Sequence, residues 1–446
     1  MSKHPQNDFT SGPILGPLLR FTLPILLARG LQMMYGAVDL LVVGRFGTAA
    51  DVSAVSTGTQ ILNTATFLIT GLATGTTVLL GRFLGARESG KAGRTIGAGI
   101  ALFGVLGLVM TAGLTIFSAP LAGIMNAPAE AMTPTVQYVR ICGAGSLFIV
   151  AYNLVGSVFR GIGDSKTPLL AVGIACTVNV AGDLLLVAGF RMGAAGAALA
   201  TVLAQAISVL LCLLILGKRG LPFDFSRSDI RFDRHLISRT VSIGAPIALQ
   251  SGLVSISFMV LISIVNSLGL VASAGVGVAE KLCGFIMMVP NAFSQALSAF
   301  VAQNEGALKH DRSKKALFTG IGASVLCGIF LAWLGFFQGD RLAALFASDR
   351  AVIAAAADYL KAYAVDTLLV SFMFCFAGYF SGCGQTAFVM VKSLLGAFGV
   401  RIPVAWAMSR VAGVSLFRLG LATPASTALE LVLCLLWFAR CEKRIK

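Results

Sequence analysis

Asp39 stands in Met33-Met34-Tyr35-Gly36-Ala37-Val38-Asp39-Leu40-Leu41-Val42-Val43, and Asp183 in Val178-Asn179-Val180-Ala181-Gly182-Asp183-Leu184-Leu185-Leu186. Both stretches otherwise read as membrane-spanning helices, where a central carboxylate costs roughly 2.5–3.5 kcal/mol on insertion scales. An acid kept there works on an ion, a proton or a partner charge. Asn179 precedes Asp183 by one helical turn and shares its face, and Thr201 lies in the next apolar run. Oxygen ligands of this kind suit a hard cation, and a carboxyl group held out of water suits a proton. A plainer pairing is equally compatible with the spacing: Asp39 with Arg45 and Asp183 with Arg191, near the headgroups.

The elements that must position these residues are helices in a bilayer. The chain of 446 residues is 57% hydrophobic and 12% charged, with a mean hydropathy of +0.88. A spanning helix needs about 20 mostly apolar residues. Twelve candidate spans fill the sequence between 15 and 439, so the expected class is all-α integral membrane with no soluble domain of useful size. The run after the polar N-terminal stretch lacks a small-residue cleavage site and reads as an uncleaved first span.

The net charge of +15 is distributed as a topology signal rather than a nucleic-acid footprint. With an inner N-terminus, 22 of the 34 Lys and Arg fall in inner loops and termini, Lys3 and Lys446 among them. Only Arg45, Arg191, Arg341, Arg350, Arg410 and Arg418 fall outside. That bias predicts both termini and the basic segment from Lys218 to Arg239 on the cytoplasmic side, and 119–132 and 268–272 outside. In that frame Asp39 lies about five residues from the outer end of its span, Asp183 about six, and Thr201 about seven. At about 1.5 Å per residue the three levels differ by a few ångströms.

Other chemistries find little support. The nine cysteines are scattered singly without a CxxC, and His4, His235 and His310 lie in the tail and inner loops, with no HExxH zinc motif. No resident metal, no cofactor and no catalytic pair is expected, and so no enzyme. Gly161-Ile162-Gly163-Asp164 matches the GxGD string of intramembrane aspartyl proteases, but Ser165-Lys166-Thr167-Pro168 follows it, and the segment reads as an inner turn.

An internal repeat organises the chain. A shift of 221–222 residues places Pro24 on Pro246, Gly85-Ala86 on Gly306-Ala307, Tyr138 on Tyr359, and Leu199-Ala200-Thr201 on Leu421-Ala422-Thr423. Each half has six spans, so the two enter the membrane in the same orientation. The expected organisation is an N-terminal six-helix lobe over 1–217, a linker over 218–237 and a C-terminal lobe over 238–446. Sites in such folds lie between or within the halves, with alternating access. The repeat also compares the halves. Asp39 falls opposite Val260 or Leu261, Asn179 opposite Val400 or Arg401, and Asp183 opposite Val404 or Ala405, whereas Thr201 keeps Thr423. The acids were not needed to build the bundle.

Taken together, Pro24…Val38-Asp39…Gly44-Arg45, Arg160-Gly161-Ile162-Gly163-Asp164-Ser165-Lys166-Thr167-Pro168, Asn179-x-x-x-Asp183 and Phe300-Val301-Ala302-Gln303-Asn304-Glu305-Gly306-Ala307 resemble the multidrug and toxic compound extrusion (MATE) family over essentially the whole chain. The resemblance implies twelve helices in two pseudo-symmetric bundles and H⁺- or Na⁺-coupled antiport of amphipathic, cationic organic compounds out across the cytoplasmic membrane. It also implies that Asp39, Asn179, Asp183 and Thr201 form the N-lobe cation site, holding Na⁺ if that is the ion carried. Some members carry a glutamate eight residues past the proline of span 7, where this chain has Val254, so the driving cation is not expected there. The alternative is a lipid-linked saccharide flippase of related fold, which usually has extra helices and a strongly cationic cavity.

Weaker candidates remain. Glu280, Lys281 and Asp366 form a second polar set, with a Glu280–Lys281 anchor as the structural explanation. Arg29 is expected to snorkel. Gln32, Asn63, Asn153 and Gln205, together with Met373 and Phe376 from the aromatic stretch 372–380, are candidates for a substrate cleft. Expected partners are a small-molecule substrate, H⁺ or Na⁺ and the lipid bilayer, with no nucleic acid, and the expected state is a monomer.

Overall fold

Backbone polar groups in lipid must be satisfied within the segment, which leaves helices as the solution for long apolar runs. The computed structural model describes residues 9–445 apart from 224 and 412, and these contain helices and no strand. The sequence readings for Lys3, His4 and Lys446 lie outside the described residues. In chain order the helices are α1 (Leu15–Phe46), α2 (Ala49–Gly85), α3 (Ser89–Ile116), α4 (Ser118–Ile124), α5 (Ala129–Ala144), α6 (Ser146–Gly161), α7 (Lys166–Asp183), α8 (Gly193–Arg219), α9 (Arg234–Asn266), α10 (Leu270–Gly306), α11 (His310–Phe337), α12 (Gly339–Ala344), α13 (Arg350–Gly382), α14 (Thr386–Gly396), α15 (Ile402–Ser409), α16 (Leu416–Gly420) and α17 (Ala422–Ile445). Short π-helical stretches follow α7 at Leu184–Gly189 and α14 at Ala397–Arg401.

Among the described residues eleven helical spans are long and apolar enough to cross a membrane, or twelve when α5 and α6, bent by 51°, are taken as one broken span. The bend has a packing cause. A Cβ on Gly145 would lie 2.5 Å from both methyl carbons of Val202 of α8, and one on Gly143 would lie 2.9 Å from Leu114 of α3. The chain turns where two neighbouring helices press on it.

Two compact units emerge. The first holds residues 23–248 with 306–308, and the second holds 12–22, 249–305 and 309–446. The divisions within α1 and α9 therefore fall beside Pro24 and Pro246, the first paired residues of the repeat, each inside its helix.

Two larger apolar centres, besides a small one of Phe159, Ala171 and Cys212, hold the first unit together. One gathers Leu72, Leu80, Phe103, Leu154 and Val158, and the linker residue Phe223 and Leu236 of α9 pack into it. The other gathers Val42, Val43, Leu114, Tyr138, Val187 and Ala197. In the latter, α8 presents Ala194, Ala197, Ala198 and Ala200, all fully buried. Small side chains let helix backbones approach closely in lipid. At Gly182 of α7 a Cβ would sit 2.9 Å from the Cβ of Ala200. The second unit is centred on Leu261, Val276, Cys283, Tyr359, Tyr363 and Ala405.

Candidate functional site

The close contact at Gly182 and Ala200 sets the neighbouring residues, Asp183 and Thr201, side by side. Asn179, one turn before Asp183, donates from Nδ2 to Thr201 Oγ1 at 3.5 Å. From α1, the Asp39 carboxyl group has Asp183, Asn179 and Thr201 as its polar neighbours. The structure thus brings all four together inside the first unit. Asp39 is 5% exposed, Asn179 1% and Asp183 0%. Asp39 Oδ1, Asn179 Oδ1 and both carboxyl oxygens of Asp183 are buried with no hydrogen-bond partner.

Orphaned acceptors in a protein interior call for an explanation. Two carboxyl groups in contact cannot both stay charged without a proton or a cation between them. Among the described residues no ion pair reaches Asp39 or Asp183, and Arg45 and Arg191 are exposed. The headgroup pairings with those arginines are not formed. The set of two carboxyls, an amide oxygen and a hydroxyl is made of hard oxygen ligands, of the kind that suits a hard cation, and either carboxyl can take up a proton. Immediately after Asp183 the helix widens to π geometry, a form concentrated at functional positions.

The adjoining starts of α2 and α8 are pinned by Asp51. It caps α2 through Thr48, with its carboxylate accepting from the Thr48 hydroxyl at 2.7 Å, and it also accepts the Ala194 N–H at 2.9 Å. Gly193 makes that approach feasible: its φ is +55°, and a Cβ there would lie 2.4 Å from Asp51 Oδ1. The first turn of α8, eight residues before Thr201, is fixed in this way.

In the second unit the repeat-related positions carry different chemistry. Leu261 and Ala405 are fully buried hydrocarbon. Arg401, opposite Asn179, donates to Ser257 Oγ at 3.0 Å and lies 4.3 Å from the centre of the Phe258 ring. Thr423 remains, buried. A guanidinium occupies the level where the first unit offers an amide.

Asp366 is fully buried in the second unit, with Thr427, Arg401 and Glu430 as electrostatic neighbours. Glu280 is half-buried and Lys281 exposed, and no ion pair joins them among the described residues. The aromatic stretch turns inward: Phe376 is 2% exposed, stacks on Phe380 at 6.1 Å and meets Phe438 edge-on at 5.9 Å. Met373 Sδ accepts from Lys392 Nζ at 3.0 Å. Gln32 donates to Tyr152 Oη at 3.2 Å, and Asn153 folds back on the Ile149 carbonyl at 2.9 Å. Gln205 faces the Tyr35 hydroxyl, whereas Asn63 is exposed. The GxGD segment is a turn: Gly163 has φ +85°, and Asp164 accepts the N–H groups of Lys166 and Thr167 at 2.9 and 3.0 Å.

Sequence reasoning passed over Glu430. Its Oε2 takes Lys392 Nζ at 2.5 Å and the Ser393 hydroxyl at 3.0 Å, and Gln250 donates to that hydroxyl at 3.0 Å. The signal was an acid within Leu429-Glu430-Leu431-Val432-Leu433, as costly in lipid as the others.

Comparison with known proteins matches both halves. The MatE family model aligns with residues 24–185 and again with 246–407, beginning at the paired prolines. A probable multidrug resistance protein, YoeA of Bacillus subtilis, is 26% identical over 93% of this chain and 91% of its own length. The multidrug export protein MepA of Staphylococcus aureus is 24% identical over 91% of this chain and 90% of its own. Among solved structures, an outward-facing multidrug resistance MATE family transporter of the MOP superfamily superimposes with a TM-score of 0.92 at 20% identity, over 98% of each chain. A MOP superfamily transporter from Pyrococcus furiosus gives 0.93 at 20% identity over 100% of each chain.

Proposed function

Because the chain belongs to the MatE family of multi-pass membrane transporters, we propose that it exports amphipathic, cationic organic compounds across the cytoplasmic membrane by H⁺- or Na⁺-coupled antiport. The observation that carries the coupling is the convergence of Asp39, Asn179, Asp183 and Thr201, with four acceptor oxygens lacking a donor. The relatives named for multidrug resistance and multidrug export support the substrate class.

In this reading the cation enters from the outer side and bridges the two carboxyl groups, which draws α1 toward α7 and α8. Release on the inner side lets α1 relax about Pro24. Substrate and cation must favour different states, since a ligand shifts an equilibrium only by its difference in affinity between them. Alternating access follows from that competition. All four side chains come from one chain, so a monomer suffices. The replacement of the equivalent positions by Leu261, Arg401 and Ala405 favours coupling through the first unit.

The energetics constrain the ion. A membrane potential contributes about 2.3 kcal/mol per charge per 100 mV. One cation exchanged for one monovalent cationic drug moves no net charge, and the ion's concentration gradient then drives export alone. The test has two parts. Expression in a pump-deficient host should lower the accumulation of a cationic dye such as ethidium, and vesicles containing the purified protein should move the dye when a sodium or a proton gradient is imposed. No change across a broad panel of cationic and neutral compounds, with the protein present in the membrane, would defeat the reading.

A further inference from the structure

At the end of the first unit that carries the basic linker, Arg82 of α2 and Arg239 of α9 line one cavity of about 260 Å³ with Leu79, Phe83, Ser242 and Ile243. The Arg82 Nε is buried and has no acceptor. Among the described residues neither arginine takes part in an ion pair. The acids flanking these helices are engaged elsewhere. Glu88 holds Lys91 at 2.9 Å, Asp233 accepts the N–H groups of His235 and Leu236, and Asp229 accepts the Ser226 N–H at 2.9 Å. Among the described residues, two guanidinium groups therefore line a shared cavity with no carboxylate paired to either.

Guanidinium forks match the oxygens of a phosphate group. The rest of the lining divides by depth. Leu79 lies one turn deeper in α2 than Phe83, and Ile243 one turn deeper in α9 than Arg239, with the hydroxyl of Ser242 on the same lining near the level of Ile243. Hydrocarbon below and cationic donors above is the lining that a lipid headgroup with the start of its chains would fill. Arg87, Lys91, Arg94, Arg231 and Arg234 surround this end of the bundle and attract an anionic leaflet.

From this geometry we infer that the Arg82–Arg239 cavity binds the phosphate group of an anionic membrane phospholipid. The site lies apart from the four coupling residues and does not depend on their role.

Thermal unfolding and native mass spectrometry of the full-length protein in detergent test it, with phosphatidylglycerol, phosphatidylcholine and inorganic phosphate as probes. Phosphatidylglycerol should raise Tm and stay bound, and phosphatidylcholine should do neither. Arg239→Gln, a change at an exposed side chain, should weaken phosphatidylglycerol binding roughly five- to tenfold, as should Arg82→Gln. If Arg82→Gln fails to fold, Arg239→Gln decides alone. Equal binding of both lipids, or undiminished phosphatidylglycerol binding by Arg239→Gln, overturns the site. Protection by inorganic phosphate without protection by phosphatidylglycerol overturns the lipid assignment and leaves a soluble phosphate ester as the ligand.

Discussion

Lys392 and Glu430 form an ion pair 2.5 Å long, with side chains 0% and 4% exposed, between helices 38 residues apart in sequence. Asp39 and Asp183 form the opposite arrangement in the other unit, two neighbouring buried acids with no ion pair to a base among the described residues. The first pair is electrically complete, and the second needs a cation or a proton. Removing one partner of a buried pair leaves an uncompensated charge and costs about 3–5 kcal/mol. Lys392→Met and Glu430→Gln should each lower Tm substantially, and the double variant should recover most of the loss. Additive losses in the double variant would show that the two residues stabilise independently.

The spacing between α7 and α8 should control coupling. Gly182→Val adds bulk where even a Cβ would lie 2.9 Å from Ala200, and overpacking of this kind costs typically 1–3 kcal/mol. Part of that strain would be relieved by moving Asp183 away from Thr201. Gradient-driven export should fall at least tenfold, roughly the effect of 1.4 kcal/mol, with membrane insertion retained, and Ala200→Gly should restore part of it. Undiminished export by the single variant would detach the helix contact from the site.

Gly193→Ala tests the Asp51 anchor at the start of α8. A non-glycine residue at φ +55°, with its Cβ directed into Asp51, should cost on the order of 1–3 kcal/mol. Asp51→Ala removes the acceptor of the Ala194 N–H and should also lower Tm, while easing the clash in the double variant. Strict additivity between the two, read by thermal unfolding, would contradict the contact.

The helical class, the twelve apolar segments and the repeat were legible because lipid imposes one solution on long apolar runs and because Pro24 and Pro246 share an offset with many other matches. Helix rise placed Asp39, Asp183 and Thr201 at similar depths, so that they could converge with Asn179, but spacing left the pairings with Arg45 and Arg191 open, and the family resemblance was what favoured the four-residue cluster. Three features were not accessible in this way. The widened turn after Asp183 lies in Leu184-Leu185-Leu186-Val187-Ala188-Gly189, whose composition does not distinguish π from α geometry. The bend at Gly145 depends on Val202, a neighbour in space. The Lys392–Glu430 pair joins residues on α14 and α17, and neither side chain alone reveals its partner. Phe376 could be read as a cleft wall or as packing, and only Phe380 and Phe438 place it inward here.

The charge bias predicts an orientation, which is open to direct measurement. On a background with all nine native cysteines replaced, single cysteines in 119–132 should react with impermeant reagent from outside, and those in the Lys218–Arg239 segment from the cytoplasm. Reaction of 119–132 only from the cytoplasm would invert the topology and the proposed direction of cation entry.

If the two acids of the first unit carry the coupling, their loss must show in dye transport by purified protein in vesicles under imposed sodium and proton gradients. Asp39→Asn and Asp183→Asn should each abolish gradient-driven export while the protein still inserts, and Val254→Ala should transport like the parent. If both asparagine variants transported normally under either gradient, coupling would lie elsewhere, with Glu280 and Asp366 as the acids to replace next.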